Sequence, residues 1–217
     1  MQKTQSYIIR TNDIVKVNNQ LIKEKLFRYY IYNKPSGCIC TNDRNNELSI
    51  FHNLNKPKGY ISATEDLSQK TVLDLVPEKF KFRNLFPAGR LDKDTEGLII
   101  ITNDGKFSHD ILDKENHIEK EYEVYLRDTI TNTFLSIIQT SFNLSGKQTI
   151  PAKISSYTDK TINLVIYEGM HHQIKRIVSL SNNKVIKLKR VRIGNLTLQD
   201  LDKGKIKEIP TLKEVIR

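Results

Sequence analysis

The pattern of apolar and polar positions predicts a chain that mixes helices and strands. Residues 120–126 (KEYEVYL) largely alternate polar and apolar residues, which predicts a half-buried strand, and the apolar run at 98–101 predicts a fully buried one. Residues 171–180 repeat apolar positions at helical spacing. The other predicted strands are 28–32, 37–41, 153–157, 161–167, 185–188 and 193–198, and the other predicted helices are 71–76, 107–112, 131–140 and a short one at the carboxyl end. This mixture predicts an α+β protein with a mixed or antiparallel sheet.

Net charge adds a candidate partner. The 217 residues include 35 Lys and Arg against 25 Asp and Glu, a formal net charge of +10. Most of the excess lies after residue 170, where twelve Lys or Arg face four acids. A concentrated basic region attracts polyanions and supplies phosphate contacts, so nucleic acid is the first partner to test. A solvated surface in a lysine-rich protein is the alternative.

Several classes of protein do not fit the sequence. The longest apolar run is far shorter than the roughly 20 residues of a membrane span, and the amino terminus lacks an apolar signal-peptide stretch, so we expect a cytoplasmic protein without a membrane partner. Two cysteines, Cys38 and Cys40, make neither a disulfide framework nor a zinc site. No glycine pattern for dinucleotides or triphosphates occurs. We therefore expect no cofactor and no metal.

A charged loop, residues 89–97 (GRLDKDTEG), lies between two hydrophobic segments and is the main candidate for catalysis. A carboxylate held there at the start of a rigid strand suits a catalytic role, although a plain charged turn has the same composition. The loop also begins like a calcium-binding loop. Its twelfth position is Asn103 instead of Glu, and the following residues predict a strand, so calcium is disfavoured.

Five ordered segments resemble the signature of one enzyme family. The charged loop runs as GRLDKDTEGL (89–98) into TNDG (102–105). The other segments are NKPKGY (55–60), KEY (120–122), EGMHHQIKR (168–176) and LKRVRIG (188–194). From about residue 30 to its end, the chain resembles the RsuA/RluB/RluE/RluF family of ribosomal RNA pseudouridine synthases, and within it the RsuA-like small-subunit branch.

The resemblance implies an isomerase that needs no cofactor. In a uridine within an RNA chain, the N1–C1′ bond breaks, the uracil turns and a C5–C1′ bond forms. The expected partner is ribosomal RNA, with the small-subunit RNA favoured, and the expected protein is a monomer. The implied fold is the pseudouridine synthase fold, a mostly antiparallel mixed sheet with flanking helices and a central catalytic cleft. The alternative is a catalytically inactive relative that binds ribosomal RNA as an assembly factor.

Three residues receive catalytic roles by the resemblance. Asp92 matches the essential carboxylate, which can act as nucleophile or base by attack on C1′, addition at C6 or removal of a C2′ proton. Lys175 matches the basic residue that pairs with this acid, and Arg176 and Arg90 are the other candidates. Tyr122 matches the tyrosine that packs against the target base, although an ordinary core tyrosine fits the same strand.

Further residues are expected to shape the pocket and bind RNA. Arg176 equally suits a plain phosphate contact, and Arg90 suits bracing the loop or filling the gap left by the displaced base. The predicted pocket residues are Leu91, Ile174 and Leu196, of which Ile174 and Leu196 also suit an ordinary core. The predicted RNA-binding residues are Lys56, Arg90, Arg176, Lys187, Lys189, Arg190 and Arg192.

Two departures from the family pattern affect the predicted domains. Residues 1–27 resemble only the end of an S4-type RNA-binding domain, so we predict a truncated or degenerate S4-like segment followed by a catalytic domain at 28–217. The segment NKPSG (33–37) nearly repeats NKPKG (55–59). The second copy has the spacing expected of the family, so residues 33–54 are predicted to be an inserted, dispensable hairpin.

Overall fold

A mixed β-sheet is the framework of the part of the chain that the computed structural model describes, namely residues 16–17, 20–21, 27–37, 40, 85–116 and 118–209. The strands in these ranges are β1 (Lys16–Val17), β2 (Gln20–Leu21), β3 (Tyr29–Lys34), β4 (Phe86–Ala88), β5 (Glu96–Thr102), β6 (Lys120–Leu126), β7 (Asn143–Leu144), β8 (Lys147–Gln148), β9 (Lys153–Tyr157), β10 (Thr161–Ile166), β11 (Val185–Ile193), β12 (Leu196–Thr197) and β13 (Ile206–Ile209). The helices are α1 (Gly105–Leu112), α2 (Asn132–Ile138) and α3 (Gln173–Leu180), with a 3-10 turn at Lys114–Asn116. No helix within these ranges has the length and apolar character needed to cross a membrane.

Nine strands form the main sheet. Seven of them lie in the order β13-β3-β5-β11-β6-β10-β9, with β4 added to β5 and β12 to β11. The contact between β5 and β11 is parallel, and the other strand pairs of this sheet are antiparallel. The predicted α+β class with a mixed, mostly antiparallel sheet and flanking helices is therefore confirmed.

The contact between β5 and β11 requires a glycine. Gly97 lies opposite Arg190 in the parallel register and has a φ of +102°. A Cβ atom at position 97 would lie 2.1 Å from the carbonyl oxygen of Arg190, far inside van der Waals contact. Across the same contact, the Arg190 Nε donates a 2.8 Å hydrogen bond to the carbonyl of Leu98. The two strands therefore approach each other closely only because residue 97 has no side chain.

Most predicted elements appear with small changes of bounds. The strand predicted at 120–126 has the predicted limits and an alternating burial pattern. The two strands predicted at 185–188 and 193–198 are instead one strand, β11, followed by a turn at Gly194 and the short β12. Strand β13 was not predicted. The predicted helix at 71–76, the predicted strand at 37–41 beyond residues 37 and 40, and a helix in the last eight residues lie outside the described residues.

The main sheet is buried on both faces. On β3, Tyr30 and Tyr32 join one apolar cluster, whereas Tyr29 and Ile31 join another on the opposite side. Strand β5 alternates in the same way. Since side chains of a strand point alternately to opposite faces, this division follows from the pleat. We call the first cluster the cavity-side cluster and the second the far-side cluster; the far-side cluster contains Leu98, Ile100, Ile111, Ile193, Leu196 and Leu198 among others.

The first N-K-P segment is part of this framework. Residues Asn33 and Lys34 are the last two of β3, which lies between β5 and β13, and both are buried. Asn33 also bonds the loop before β13, with its backbone N–H donating to Lys205 and its side-chain amide to Leu201. The prediction that residues 33–54 form a dispensable hairpin is therefore wrong at its start, because removal would delete the end of a central strand. Residues 41–54 and the second copy at 55–59 lie outside the described residues.

Candidate active site

A cavity of about 730 Å³ opens on the cavity side of the sheet. Its walls come from the charged loop after β4, from β6 and β11 on the sheet, and from the turn and first residues of α3. The size lies within the range of pockets that enclose small ligands. The sequence separation of these segments shows that the cavity forms only in the folded sheet.

The charged loop is fixed by backbone hydrogen bonds and one buried lysine. The N–H of Thr95 donates to the carbonyl of Asp92, which closes a tight turn, and the N–H of Gly37 donates to the carbonyl of Lys93. The ammonium group of Lys34, which is fully buried, donates to the carbonyls of Thr95 at 2.6 Å, and of Lys93 and Pro35 at 3.1 Å. The loop is thereby tied to the end of β3.

The side chain of Asp92 lines the cavity and faces two basic groups. The Lys175 Nζ lies 3.1 Å from Asp92 Oδ2, and the His172 Nε2 lies 3.6 Å from the same oxygen. The contact between Asp92 and Lys175 that the resemblance implied is present. Lys175 also donates to Asp94 Oδ1 at 2.6 Å.

The pKa values of the Lys175 cluster reflect these contacts. The hydrogen bond from Lys175 lowers the pKa of Asp94. Burial alone would lower the pKa of Lys175, but its hydrogen bonds and attractive charges with Asp94 and Asp92 outweigh burial and raise it. Lys175 is therefore a permanent cation beside the carboxylate at neutral pH.

The start of α3 sets the direction of Lys175. His172, the residue before the helix, adopts a left-handed backbone with φ of 51° and stacks on His171 with ring centroids 3.8 Å apart. The amide of Gln173 accepts from the Met170 N–H and donates to buried Glu168 at 2.9 Å. These contacts fix the first turn of the helix, from which the side chains of residues 174 and 175 reach the cavity.

Apolar residues line the wall around Tyr122. Tyr122 is 7% exposed on β6 and borders the cavity. The predicted pocket residues Leu91 and Ile174 also line it, as do Leu188 and Ile166. Such a wall, with an aromatic ring among aliphatic groups, suits a planar base.

Two buried cations, Lys120 and Arg190, also line the cavity. The Lys120 Nζ donates to the carbonyls of Ile118 and Tyr167, each at 3.0 Å. Burial and the nearby charge of Arg190 lower the pKa of Lys120 to about 8, although Glu168 opposes this shift. The Arg190 Nη2 atom is buried and has no hydrogen-bond partner within the described part of the chain.

The other predicted residues are dispersed. Leu196 belongs to the far-side cluster and is not among the residues that line the cavity, so its prediction as a pocket residue is wrong. Of the predicted RNA-binding residues, Arg90 is exposed at the cavity, whereas Arg190 is buried within it. Lys56 lies outside the described residues.

The remaining predicted RNA-binding residues lie outside this cavity. Arg176 donates to Ser145, and Lys189 is half-buried on β11. Lys187 lies 3.4 Å from buried Glu96 and above the ring of Tyr125. Arg192 is held by Glu119 and Glu121.

Sequence reasoning missed three residues at the site, although each lies in a segment that it quoted. Lys34 was assigned to the dispensable copy of the N-K-P segment, Lys120 was quoted in K-x-Y without a role, and His172 was quoted beside Lys175 without one. The sequence feature that could have indicated these three residues is a basic side chain within a segment that is otherwise apolar or that carries a family motif.

Comparison with known proteins gives consistent matches. A family model described as RNA pseudouridylate synthase matches residues 28–180. An uncharacterized RNA pseudouridine synthase from Bacillus subtilis (strain 168) is 42% identical over 167 residues, covering 74% of this chain and 70% of the relative. The ribosomal small subunit pseudouridine synthase A of Haemophilus influenzae is 34% identical over 185 residues, covering 84% of this chain and 70% of that protein.

A solved structure agrees with these matches. A crystal structure described as a pseudouridylate synthase superposes with a TM-score of 0.68 at 30% sequence identity, covering 98% of this chain and 83% of that chain. The family match spans most of the catalytic framework, from β3 through α3. The chain therefore belongs to the RNA pseudouridylate synthase family and is an RNA pseudouridine synthase, an isomerase.

Proposed function

We propose that this enzyme converts a specific uridine of small-subunit ribosomal RNA into pseudouridine, with Asp92 as the catalytic carboxylate. The observation that carries the proposal is the position of Asp92 at the wall of the cavity that Tyr122 also lines, with its Oδ2 3.1 Å from the Lys175 Nζ. An acid, a cation and an aromatic wall are the groups that chemistry on a displaced nucleoside requires.

Asp92 acts on the sugar or on the base as an ionised group. The ammonium of Lys175 stabilises the negative charge of the carboxylate and holds its direction. The second carboxylate at Asp94 binds the same ammonium, which prevents Lys175 from turning away into solvent. In this arrangement the acid is a positioned nucleophile or base, and Lys175 is its positioning partner.

The target base leaves its RNA helix and enters the cavity. Displacement costs stacking energy, which the Tyr122 ring and the aliphatic side chains of Leu91 and Ile174 offset. Arg90, exposed at the cavity, is available to the RNA around the displaced nucleotide.

A second groove supports a path for the RNA backbone. This groove, of about 650 Å³, shares Lys175 with the active-site cavity and is also lined by Asp94, Arg127 and Lys184. Arg127 is paired with Asp128, and Lys175 with Asp92 and Asp94, so Lys184 supplies most of the unpaired positive charge of the groove. A phosphate chain that enters the cavity at the target nucleotide would leave along this groove.

The choice of small-subunit ribosomal RNA rests on the named relatives. The proteins of Haemophilus influenzae and of Escherichia coli (strain K12), which are 34% and 37% identical to this chain, both carry the name ribosomal small subunit pseudouridine synthase A. We infer the same substrate here, with the enzyme acting as a cytoplasmic monomer.

We also propose that residues 1–27 are an S4-like segment that assists RNA binding, ahead of the catalytic domain at 28–217. The short antiparallel pair β1–β2 within this segment supports the proposal, since it forms a separate two-stranded sheet. Removal of this segment should weaken RNA affinity and leave the chemistry intact.

The proposed function is tested by tritium release from transcripts of small-subunit and large-subunit ribosomal RNA that carry 5-³H-uridine. Formation of the C5–C1′ bond expels the C5 hydrogen, so release counts turnovers. We expect release from the small-subunit RNA alone, and the Asp92→Asn variant should lose at least about 10⁴-fold in rate while RNA affinity changes little.

Three other results would contradict this assignment. Release from only the large-subunit RNA would overturn the substrate. Equal release by Asp92→Asn would overturn the role of the acid. Tight RNA binding without release by the parent protein, in naked and in partly assembled RNA, would favour the inactive assembly factor.

A further inference from the structure

The buried cations Lys120 and Arg190 have no assigned part in the reaction described above. Both line the same cavity as Asp92 and are 6% and 4% exposed. They lie on neighbouring strands, where Arg190 is the register partner of Tyr122 and Lys120 lies two residues before Tyr122 on the same face of β6. Lys120, Tyr122 and Arg190 therefore occupy neighbouring positions of the sheet, and all three line the cavity.

A buried lysine or arginine with a structural role is normally paired with a carboxylate, and in the part of the chain that the structure describes neither of these two cations is. Within the described residues, neither has a carboxylate within ion-pair distance. Glu168, the acid whose charge reaches Lys120, is itself bound to the Ile150 N–H and to Gln173. Burial of two unpaired positive charges close together costs free energy. This cost is offset if a negative charge develops beside them during the reaction.

The hydrogen bonds of both groups are incomplete. An ammonium group has three donors, and Lys120 spends two of them on backbone carbonyls. Arg190 donates through Nε to Leu98, but its buried Nη2 has no partner among the residues that the structure describes. Each cation thus retains a donor without a partner among the described residues. A buried donor without a partner costs free energy, and a bound substrate would supply the missing acceptor.

The reaction produces the matching charge. When the N1–C1′ bond breaks, its electron pair moves to the uracil ring and spreads over N1, O2 and O4. If Asp92 instead adds at C6, the negative charge appears on O4. In either case the uracil oxygens become stronger acceptors in the transition state than in the bound uridine. C1′ is left electron-poor by the cleavage, and C5 uses the electron pair of the ring to bond C1′, displacing Asp92 if the acid holds the sugar there. The C5 hydrogen then leaves to water as a proton and N1 takes up a proton. If Asp92 is bonded to C6, it leaves as the C5–C6 double bond forms again.

We propose that Lys120 and Arg190 are catalytic residues that donate to the oxygens of the uracil ring and stabilise the negative charge it carries while it is detached or enolised. The assignment rests on the proposed placement of the target base against Tyr122. The cations hold the base during its rotation, because charge attraction tolerates a change of ring orientation that a fixed hydrogen-bond pattern does not. Burial, with the nearby charge of Arg190, lowers the pKa of Lys120 to about 8, which agrees with a buried donor beside a second cation.

The test compares Lys120→Met and Arg190→Met with the parent enzyme in single-turnover reactions on small-subunit ribosomal RNA. Consumption of the target nucleoside is followed by rapid quench, digestion and mass spectrometry. We expect each variant to lose about 10²–10³ in rate, the usual loss for one donor to a developing anion, while the RNA dissociation constant changes less than about threefold. Val124→Ala, a buried change on the same face of β6 outside the cavity, is the matched stability control.

A second substrate separates catalysis from folding. In RNA with 5-fluorouridine at the target position, the fluorine itself stabilises a negative uracil, so less is required of the protein. We expect the loss in Lys120→Met and Arg190→Met to fall to about tenfold or less with this RNA. An equal loss on both substrates, or a loss matched by Val124→Ala, would show a structural role and overturn the proposal.

Charge-conserving variants keep the proposal testable if the methionine variants do not fold. Lys120→Arg and Arg190→Lys should retain activity within about tenfold and keep the fluorine dependence of the parent. Loss of activity in these variants without any fluorine dependence would overturn the proposal. The parent enzyme is assayed first on both ribosomal RNAs, because inactivity there contradicts the proposed substrate and not the role of the two cations.

Discussion

The two faces of the central sheet are both buried, but they differ in what they bury. The far-side cluster is packed from aliphatic residues such as Leu98, Ile100 and Leu196. The cavity side combines apolar residues with three buried basic side chains, Lys34, Lys120 and Arg190. Burial of a charge costs free energy unless it is bonded, whereas burial of a leucine contributes about 1.5–3 kcal/mol. The comparison indicates that one face mainly supplies stability and the other mainly supplies the site.

The strongest test of this division is Lys34→Met. The variant keeps the volume of the side chain but removes three hydrogen bonds to carbonyls, two of them on the loop that carries Asp92. We expect kcat to fall about 10²–10³-fold, because a displacement of about 1 Å of a catalytic group is enough for a 10²-fold loss. Tritium release under saturating RNA measures the effect. A variant with a higher free energy of unfolding than the parent and an unchanged kcat would contradict the role of this lysine in holding the loop.

A matched pair of leucines tests the two faces directly. Leu188→Ala on the cavity side and Leu196→Ala on the far side remove similar side chains, each 6% exposed. Both should lower the free energy of unfolding in urea by about 2–4 kcal/mol. Only Leu188→Ala should also change kcat/KM, by about tenfold, since Leu188 lines the cavity. A comparable loss of kcat/KM in Leu196→Ala at a temperature where it is folded would remove the distinction between the faces.

The smallest effect is expected from the pH dependence of stability. The pKa of Lys120 is about 8 in the folded protein and about 10.5 in the unfolded chain, so between these values the unfolded chain binds more protons. Stability of the parent relative to Lys120→Met should therefore rise with pH, by at most about 2 kcal/mol between pH 8 and pH 9.5, and stay level below pH 7. Urea unfolding of both proteins across this range measures the difference. A difference that is flat or falls with pH would show that Lys120 is not held in a cationic, buried environment.

Sequence patterns predicted the parts of the fold that local periodicity determines. Alternation gave the bounds of β6, and the ordered motifs brought Asp92, Tyr122 and Lys175 to one site. The prediction of an inserted hairpin was wrong at Asn33 and Lys34 because the two N-K-P strings are nearly identical, and only pairing with β5 and β13 identifies these residues as the end of a central strand.

Other errors arose from tertiary geometry. Alternation places Arg190 and Arg192 on one face, but an irregularity in the register between them turns Arg192 toward Glu119 and Glu121. Leu196 and Ile174 are both apolar residues in family motifs, and sequence gives no sign of which face of the sheet each will reach. The positions of Arg192 and Leu196 both depend on how β11 pairs with its neighbours, which no local pattern specifies.

The glycine at the contact of β5 and β11 offers a way to judge related genes. Asp92 precedes β5, whereas Tyr122 is on β6, beyond β11 in the sheet order, and Lys175 is on helix α3. A larger residue at position 97 would force these two parts of the molecule apart, and with them the acid from its partners. A related gene that preserves every catalytic residue but encodes a bulky side chain at position 97 should therefore encode an inactive protein.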